Sequence, residues 1–137
     1  MNAGVAVGDS DAIIAMVLDN DPNHPRALKI ASRLIEQNVD LVFPSTVFPE
    51  AITSLVRAAN QPDKAHLVNK NLQDGLFHVF YIDREVLLNA SELFGKTKSK
   101  QNTFFDAIVA SVAKKFETKT IFSFDKWYSK LGFKLAD

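Results

Sequence analysis

Four acidic residues that lie far apart in the chain sit at the junctions of predicted strands and helices. Asp9 follows the apolar run 5–7, Glu50 lies in the helix after a second strand, and Asp125 ends the predicted strand 120–124. Asp106 opens the helix that precedes this last strand. Functional groups collect at the carboxyl ends of the strands in a parallel α/β sheet, so we expect these carboxylates to converge.

A cluster of carboxylates without histidine or cysteine partners favours a hard cation. Oxygen ligands suit Mg²⁺ or Mn²⁺ better than a soft metal. Without a metal ion the carboxylates would repel one another, and some would take up protons. With one or two ions bound, a water molecule becomes a nucleophile and an in-line displacement at phosphorus is stabilised. The pattern therefore predicts a divalent-metal site for phosphodiester chemistry.

The stretch from Thr103 to Asp125 positions two of these acids. Its first half, TFFDAIVASVAKKF, has helical spacing with Asp106 in the first turn, and its second half predicts a strand from Thr120 to Phe124. The same residues have structural interpretations. Asp106 completes a T-x-x-D capping box with Thr103. Asp9 and Asp125 are suitable N-cap residues, and Glu50 is favoured near a helix start by the helix dipole.

Strands and helices alternate along the rest of the chain. We predict strands at 5–7, 40–43, 76–82 and 120–124 and an edge strand at 133–135, separated by one or two helices. Such alternation is typical of a parallel sheet with helices on both faces. The sequence therefore predicts a three-layer α/β/α sandwich with a central, mainly parallel sheet of four to five strands. We expect residues 1–137 to form a single domain, because no linker interrupts the pattern.

Composition limits the classes of protein to which the chain can belong. The chain has 137 residues, 16 basic and 16 acidic side chains, and no cysteine. Its zero formal net charge argues against nonspecific nucleic-acid binding by the whole surface. The lack of cysteine excludes disulfides and thiolate metal sites. Neither a basic leader nor an apolar run of about 18 residues is present, so we expect a cytoplasmic protein with no membrane segment.

The motifs taken together resemble the PIN-domain ribonucleases, particularly the small VapC-type toxins. The matching segments are the apolar run ending in Asp9-Ser10-Asp11, PSTVFPEA with Glu50, FFDAIVASVA with Asp106, and Ser123-Phe124-Asp125. The resemblance implies an endoribonuclease that holds Mg²⁺ or Mn²⁺ with Asp9, Glu50, Asp106 and Asp125. It also implies an RNA substrate, a cognate antitoxin protein and a homodimer.

Other residues gain roles only through this resemblance. Ser123 occupies the hydroxyl position of the Thr/Ser-x-Asp motif of the family and would orient Asp125, and Ser10 matches the hydroxyl residue that follows the first acid. Asp11 stands where a small polar residue is more usual, and is either a fifth ligand or an N-cap. Gly8 and Pro49 are further departures from the family pattern.

Basic residues near the acids are candidate contacts for RNA phosphates. Lys96, Lys98 and Lys100 lie in the predicted loop 95–102 before Asp106, and a solvated lysine loop is the alternative interpretation. Arg57 lies seven residues after Glu50, on the same helix face, and would contact either a phosphate or an acid.

Two other functions compete with the nuclease hypothesis. A catalytically inactive PIN-fold module that binds RNA or protein is the first, and the complete set of four acids argues against it. A phosphoryl-aspartate enzyme of the haloacid-dehalogenase type is the second, since Asp9-Ser10-Asp11 resembles its D-x-D start. That motif continues with Thr at its fifth position, where this chain has Ile13.

Overall fold

The computed structural model describes residues 4–137. Met1–Ala3 lie outside the described residues. They are the first residues of the predicted domain and of the N-terminal stretch in which no leader is predicted. The strands are β1 (Gly4–Gly8), β2 (Val39–Pro44), β3 (His78–Phe80), β4 (Thr120–Phe122) and β5 (Lys134–Leu135). The helices are α1 (Ser10–Val17), α2 (His24–Glu36), α3 (Val47–Arg57), α4 (Pro62–Gln73), α5 (Arg84–Lys96), α6 (Phe104–Lys115) and α7 (Trp127–Lys130).

All five strands join one parallel sheet, in the order β3-β2-β1-β4-β5. The central strand β1 pairs with β2 through Ala6↔Leu41 and with β4 through Val7↔Ile121. The carboxyl ends of β1 and β4 therefore lie side by side. This arrangement confirms the predicted α/β fold class and brings the segments that carry Asp9 and Asp125 to the same edge of the sheet.

Helices cover both faces of the sheet. Successive side chains of β1 point to opposite faces, so each face presents apolar side chains that helices bury. Ala6 packs in a cluster with Ala27, Ile30 and Leu34 of α2, whereas Val7 packs in a larger cluster with residues of α3, α4, α5 and α6. The buried stripe of α6 is nearly continuous from Ala107 to Ala113. The start of α6 is thus held firmly over the carboxyl end of the sheet.

Several predicted boundaries differ from the structure. β3 spans His78–Phe80 instead of 76–82, and β4 ends at Phe122 instead of Phe124. The backbone leaves β4 early because the Phe124 N–H donates to the Asp11 carboxylate and not to a neighbouring strand. α5 extends to Lys96, so the predicted basic loop begins two residues later, at Thr97.

Gly8, the last residue of β1, lies against an aromatic cluster. A Cβ atom at this position would overlap the ring of Phe43, which also packs edge-on against Phe48 and Phe77. Only glycine leaves room for the ring at this position. The departure of Gly8 from the family pattern therefore has a steric cause.

None of the helices within residues 4–137 is long and apolar enough to cross a membrane.

Candidate functional site

Asp9 lies at the junction between β1 and α1. It is buried, at 4% exposed, and its Oδ1 accepts a 2.7 Å hydrogen bond from the backbone N–H of Ser10. Its own N–H donates to the carbonyl of Phe122 at the end of β4. The first acid is therefore the N-cap of α1 and is fixed to the neighbouring strand as well.

Asp11 is not an N-cap, because Asp9 takes that position. Its Oδ2 accepts hydrogen bonds from the Ser123 hydroxyl at 2.9 Å and from the Phe124 N–H at 2.8 Å. The other oxygen, Oδ1, is buried without a hydrogen-bond partner. Asp11 thus connects α1 to the segment after β4, which the sequence analysis did not anticipate.

Ser123 contacts three acids of the site in different ways. Its hydroxyl oxygen accepts from the Asp125 N–H at 3.1 Å, and the hydroxyl lies 3.5 Å from Oδ2 of Asp9. The shortest of these contacts is the bond to Asp11. Ser123 therefore orients the backbone at Asp125, and its side-chain contacts are with Asp11 and Asp9.

Asp106 lies in the first turn of α6 and contributes to its cap. Its Oδ2 accepts from the Thr103 N–H at 3.0 Å, as the T-x-x-D pattern predicts. Asp125 forms a similar local bond, because its Oδ1 accepts from the Trp127 N–H at 2.9 Å at the start of α7. Both acids are only partly buried, so capping leaves part of each side chain accessible to solvent.

Asn102 joins these two carboxylates and was missed by the sequence analysis. Its side-chain amide donates to Oδ2 of Asp125 at 2.7 Å and to Oδ2 of Asp106 at 3.3 Å. The side chain is buried, at 8% exposed. Its place directly before the N-cap of α6 was visible in the sequence, but an asparagine at the end of a polar loop carries no signal of its own.

Tyr128 is the second residue that the sequence analysis missed. Its hydroxyl donates to Oδ2 of Asp9 at 2.7 Å and lies 3.5 Å from Oδ1 of Asp106. The side chain is fully buried. Its neighbour Trp127 is only partly buried. From the sequence alone, Tyr128 is an aromatic residue suited to the core. Its bond to Asp9 depends on the tertiary fold.

Glu50 lies in the first turn of α3 and completes the set. One carboxylate oxygen, Oε1, is buried without a partner, as is the hydroxyl of Thr46 at the N-cap of the same helix. Burial raises the pKa of Glu50, and the charges of Asp106 and Asp11 raise it further, while a hydrogen bond from Ser10 opposes the rise. The carboxylate therefore lies within the electrostatic field of the other acids.

Burial and mutual repulsion raise the pKa of the neighbouring acids as well. The pKa of Asp9 lies well above its usual value because the group is buried and faces Asp11 and Asp106. Burial raises the pKa of Asp11 to about 6, with a contribution from Asp125. The pKa of Asp106 is also raised by burial and by Asp125. None of these four acids forms an ion pair with a basic side chain of residues 4–137.

The available donors for a cation are therefore carboxylate and hydroxyl oxygens. Within residues 4–137, no three histidine or acidic side chains are arranged so that they could hold a metal ion directly. Their oxygens instead receive hydrogen bonds from Tyr128, Asn102, Ser123 and backbone amides. The buried Oδ1 of Asp11 and Oε1 of Glu50 remain without partners.

The four basic candidates are exposed. Lys98 and Lys100 lie in the loop before α6, and Lys96 is the last residue of α5. Arg57 ends α3 and, with Glu50 and Phe105, lines a surface groove. None of the four forms an ion pair with an acid in residues 4–137, so the pairing of Arg57 with an acid is not observed.

Comparison with known protein families gives one match that spans most of the chain. The model of the PIN domain family matches residues 6–134. No protein of curated function is significantly similar to the chain in sequence.

Several solved structures share the fold. VapC20 of Mycobacterium tuberculosis, described as a toxin that cleaves the sarcin-ricin loop, superimposes with a TM-score of 0.83 at 18% identity, covering 96% of this chain and 97% of that chain. FitAcB of Neisseria gonorrhoeae gives a TM-score of 0.66 at 19% identity, covering 97% of this chain and 96% of that chain. VapBC-1 of nontypeable Haemophilus influenzae gives 0.66 at 15% identity and covers 97% of each chain.

Proposed function

This chain belongs to the PIN domain family, and on that premise we propose that it is a metal-dependent endoribonuclease, the toxin of a toxin–antitoxin pair. The observation that supports the proposal is that hydrogen bonds and mutual electrostatic effects link four acids from four separate segments of the chain. Tyr128 connects Asp9 to Asp106, and Asn102 connects Asp106 to Asp125. Glu50 responds electrostatically to the same group.

The chemistry of the donors suits Mg²⁺ or Mn²⁺ held by Asp9, Glu50, Asp106 and Asp125. Buried carboxylates with raised pKa values and partnerless oxygens are groups that a hard dication would stabilise. Asp11 offers a further buried oxygen. Because no three of the acids are arranged to hold an ion directly, binding requires some side chains to exchange their present hydrogen bonds for metal ligation.

The residues of the chain have distinct roles in the proposed reaction. A bound dication would activate a water molecule and offset the charge that develops at phosphorus. Ser123 holds the backbone at Asp125 and the Asp11 carboxylate in place, while Tyr128 holds Asp9. The exposed cations Arg57, Lys96, Lys98 and Lys100 would attract RNA phosphates toward the acids.

The proposal includes the assembly of the protein. This chain shares the fold of VapC20, which is named as a toxin, and of FitAcB and VapBC-1. On this basis we propose a cognate antitoxin, a homodimer and a cytoplasmic location. We also propose that residues 1–137 form a single domain. Light scattering of the purified chain, alone and with the product of a neighbouring gene, tests the assembly.

Cleavage of a set of end-labelled RNAs by the purified protein tests the activity. We expect cleavage with Mn²⁺, none with EDTA, and a loss of at least about 100-fold in Asp125→Asn and Asp106→Asn, because each removes a charge from the proposed site. Asp63→Asn alters an exposed acid of α4 and serves as the matched control. Cleavage in EDTA, or undiminished activity of both site variants, contradicts the proposal. The inactive binding module would instead bind RNA without cleaving it.

A further inference from the structure

A groove beside the acids extends along the exposed side of α3. It is lined by Pro49, Glu50, Thr53, Ser54, Arg57, Ala58 and, from the start of α6, Phe105. Its volume of about 390 Å³ lies within the usual range of small-molecule sites. Because Glu50 belongs both to this groove and to the acidic cluster, a chain bound at the acids can continue directly into the groove.

Phe105 is the largest apolar side chain that lines the groove. It immediately precedes Asp106 and is 41% exposed, whereas the inner face of α6 is buried from Ala107 to Ala113. Its neighbour Phe104 is partly buried and packs against Phe94. The core is therefore filled without Phe105, and its ring is available to a ligand. Exposed aromatic rings next to nucleic-acid sites serve as stacking surfaces for bases.

Arg57 supplies the positive charge of the groove. It lies seven residues after Glu50 on α3, which corresponds to an axial distance of roughly 10 Å. Its guanidinium forms no ion pair within residues 4–137 and is exposed. A cation two helical turns from Glu50, in a groove that the ring of Phe105 also lines, is placed to contact a phosphate next to the one held at the acids.

We propose that this groove binds the nucleobase of a nucleotide adjoining the scissile phosphate, with Phe105 as the stacking surface and Arg57 as a contact for the next phosphate. The inference rests on the proposed nuclease function and adds a substrate subsite to it. Stacking accepts every base, so the groove contributes affinity for single-stranded RNA more than sequence choice. A paired base would not be free to enter.

Steady-state cleavage of a single-stranded RNA separates binding from chemistry. Phe105→Ala should raise KM by roughly 5- to 150-fold, the loss of one base stack, with kcat little changed. Phe105→Trp should keep KM near the wild-type value, because an indole also stacks. Ile35→Ala removes an apolar side chain that is 79% exposed near the carboxyl end of α2 and should leave KM unchanged. Thermal melting checks that each variant is folded.

Arg57→Gln tests the phosphate contact. It should raise KM and lower the slope of log KM against log salt concentration by about 0.7, as expected for one lost contact to a single strand. A raised KM with an unchanged salt slope would overturn the role of Arg57.

A second experiment does not depend on cleavage. In EDTA, the indole fluorescence of Phe105→Trp should be quenched by a mixed-sequence RNA oligonucleotide and not by an abasic oligonucleotide of equal length, after subtraction of the wild-type signal from Trp127. Equal quenching by both, or a normal KM in Phe105→Ala while the wild type cleaves RNA, would overturn the subsite and leave the nuclease function standing. If Phe105→Ala has a normal KM but no longer dimerises in light scattering, Phe105 contacts a second copy of the chain and the proposed subsite is overturned.

Discussion

The hydroxyl of Tyr128 donates a 2.7 Å hydrogen bond to Oδ2 of Asp9, and both side chains are buried. The two residues are 119 positions apart, so the bond links the segment after β4 to the start of α1. It lowers the pKa of Asp9, against the larger effect of burial. The pKa of Tyr128 is raised as well, because burial and the negative charge of Asp9 disfavour a phenolate.

Tyr128→Phe removes this bond without changing the volume of the ring by much. We expect the free energy of unfolding in EDTA to fall by about 1–3 kcal/mol, since a buried carboxylate loses a donor. Urea denaturation at pH 7.5 measures the change. Tyr81→Phe alters a tyrosine that is 75% exposed and should have no effect. Equal stabilities of wild type and Tyr128→Phe would show that the hydroxyl does not stabilise Asp9.

Asp11 should make metal-free stability depend on pH. Burial raises its pKa in the folded protein from 3.8 to about 6. Between these pH values the folded state binds more protons than the unfolded state, so the free energy of unfolding falls as pH rises. The part of this fall that is due to Asp11 is on the order of 2–3 kcal/mol. Asp11→Asn removes this contribution and keeps an acceptor for the Phe124 N–H.

Thermal melts in EDTA from pH 4 to pH 7 compare the two proteins. The stability of Asp11→Asn relative to the wild type should increase across this window. Parallel curves for the two proteins would mean that Asp11 titrates at its ordinary pKa.

Asp106→Asn separates the capping role of Asp106 from its charge. An amide oxygen still accepts from the Thr103 N–H, and repulsion from Asp125 is relieved. We expect an unchanged or higher melting temperature in EDTA at pH 7.5. Asp106→Ala loses the acceptor and should be less stable than Asp106→Asn by about 0.5–2 kcal/mol. If Asp106→Asn melts several degrees below the wild type, the ionised carboxylate is needed as a structural cap.

Gly8→Ala tests the close approach of β1 to Phe43. The added methyl group overlaps the ring, and overpacking of this kind costs roughly 1–3 kcal/mol. Urea denaturation of Gly8→Ala should show this loss, and Gly8→Ala combined with Phe43→Leu should lose less than the sum of the two single changes. Additive losses would indicate that the added methyl group does not meet the Phe43 ring.

Metal binding should stabilise the folded protein. A ligand at 100 times its Kd adds about 2.7 kcal/mol to the free energy of unfolding. We therefore expect Mn²⁺ to raise the melting temperature of the wild type and of Asp63→Asn, and to have little effect on Asp125→Asn. Identical Mn²⁺-induced shifts in all three proteins would place the binding of the ion elsewhere.

The sequence by itself determined the fold class and the general position of the acids. Helical and strand periodicities are local properties, and parallel strands necessarily bring their carboxyl ends to one edge. The T-x-x-D cap at Asp106 was also predictable, because the capping box requires only residues three positions apart.

Only the tertiary structure decided which side chains contact the acids. Asp11 reaches Ser123 and Phe124, more than 110 residues away, and so ends β4 two residues earlier than periodicity suggests. The contacts of Tyr128 and Asn102 with the acids likewise depend on how α6 and α7 pack over the sheet edge. Hydrogen bonds between distant segments have no local sequence pattern, because their geometry exists only after the chain has folded.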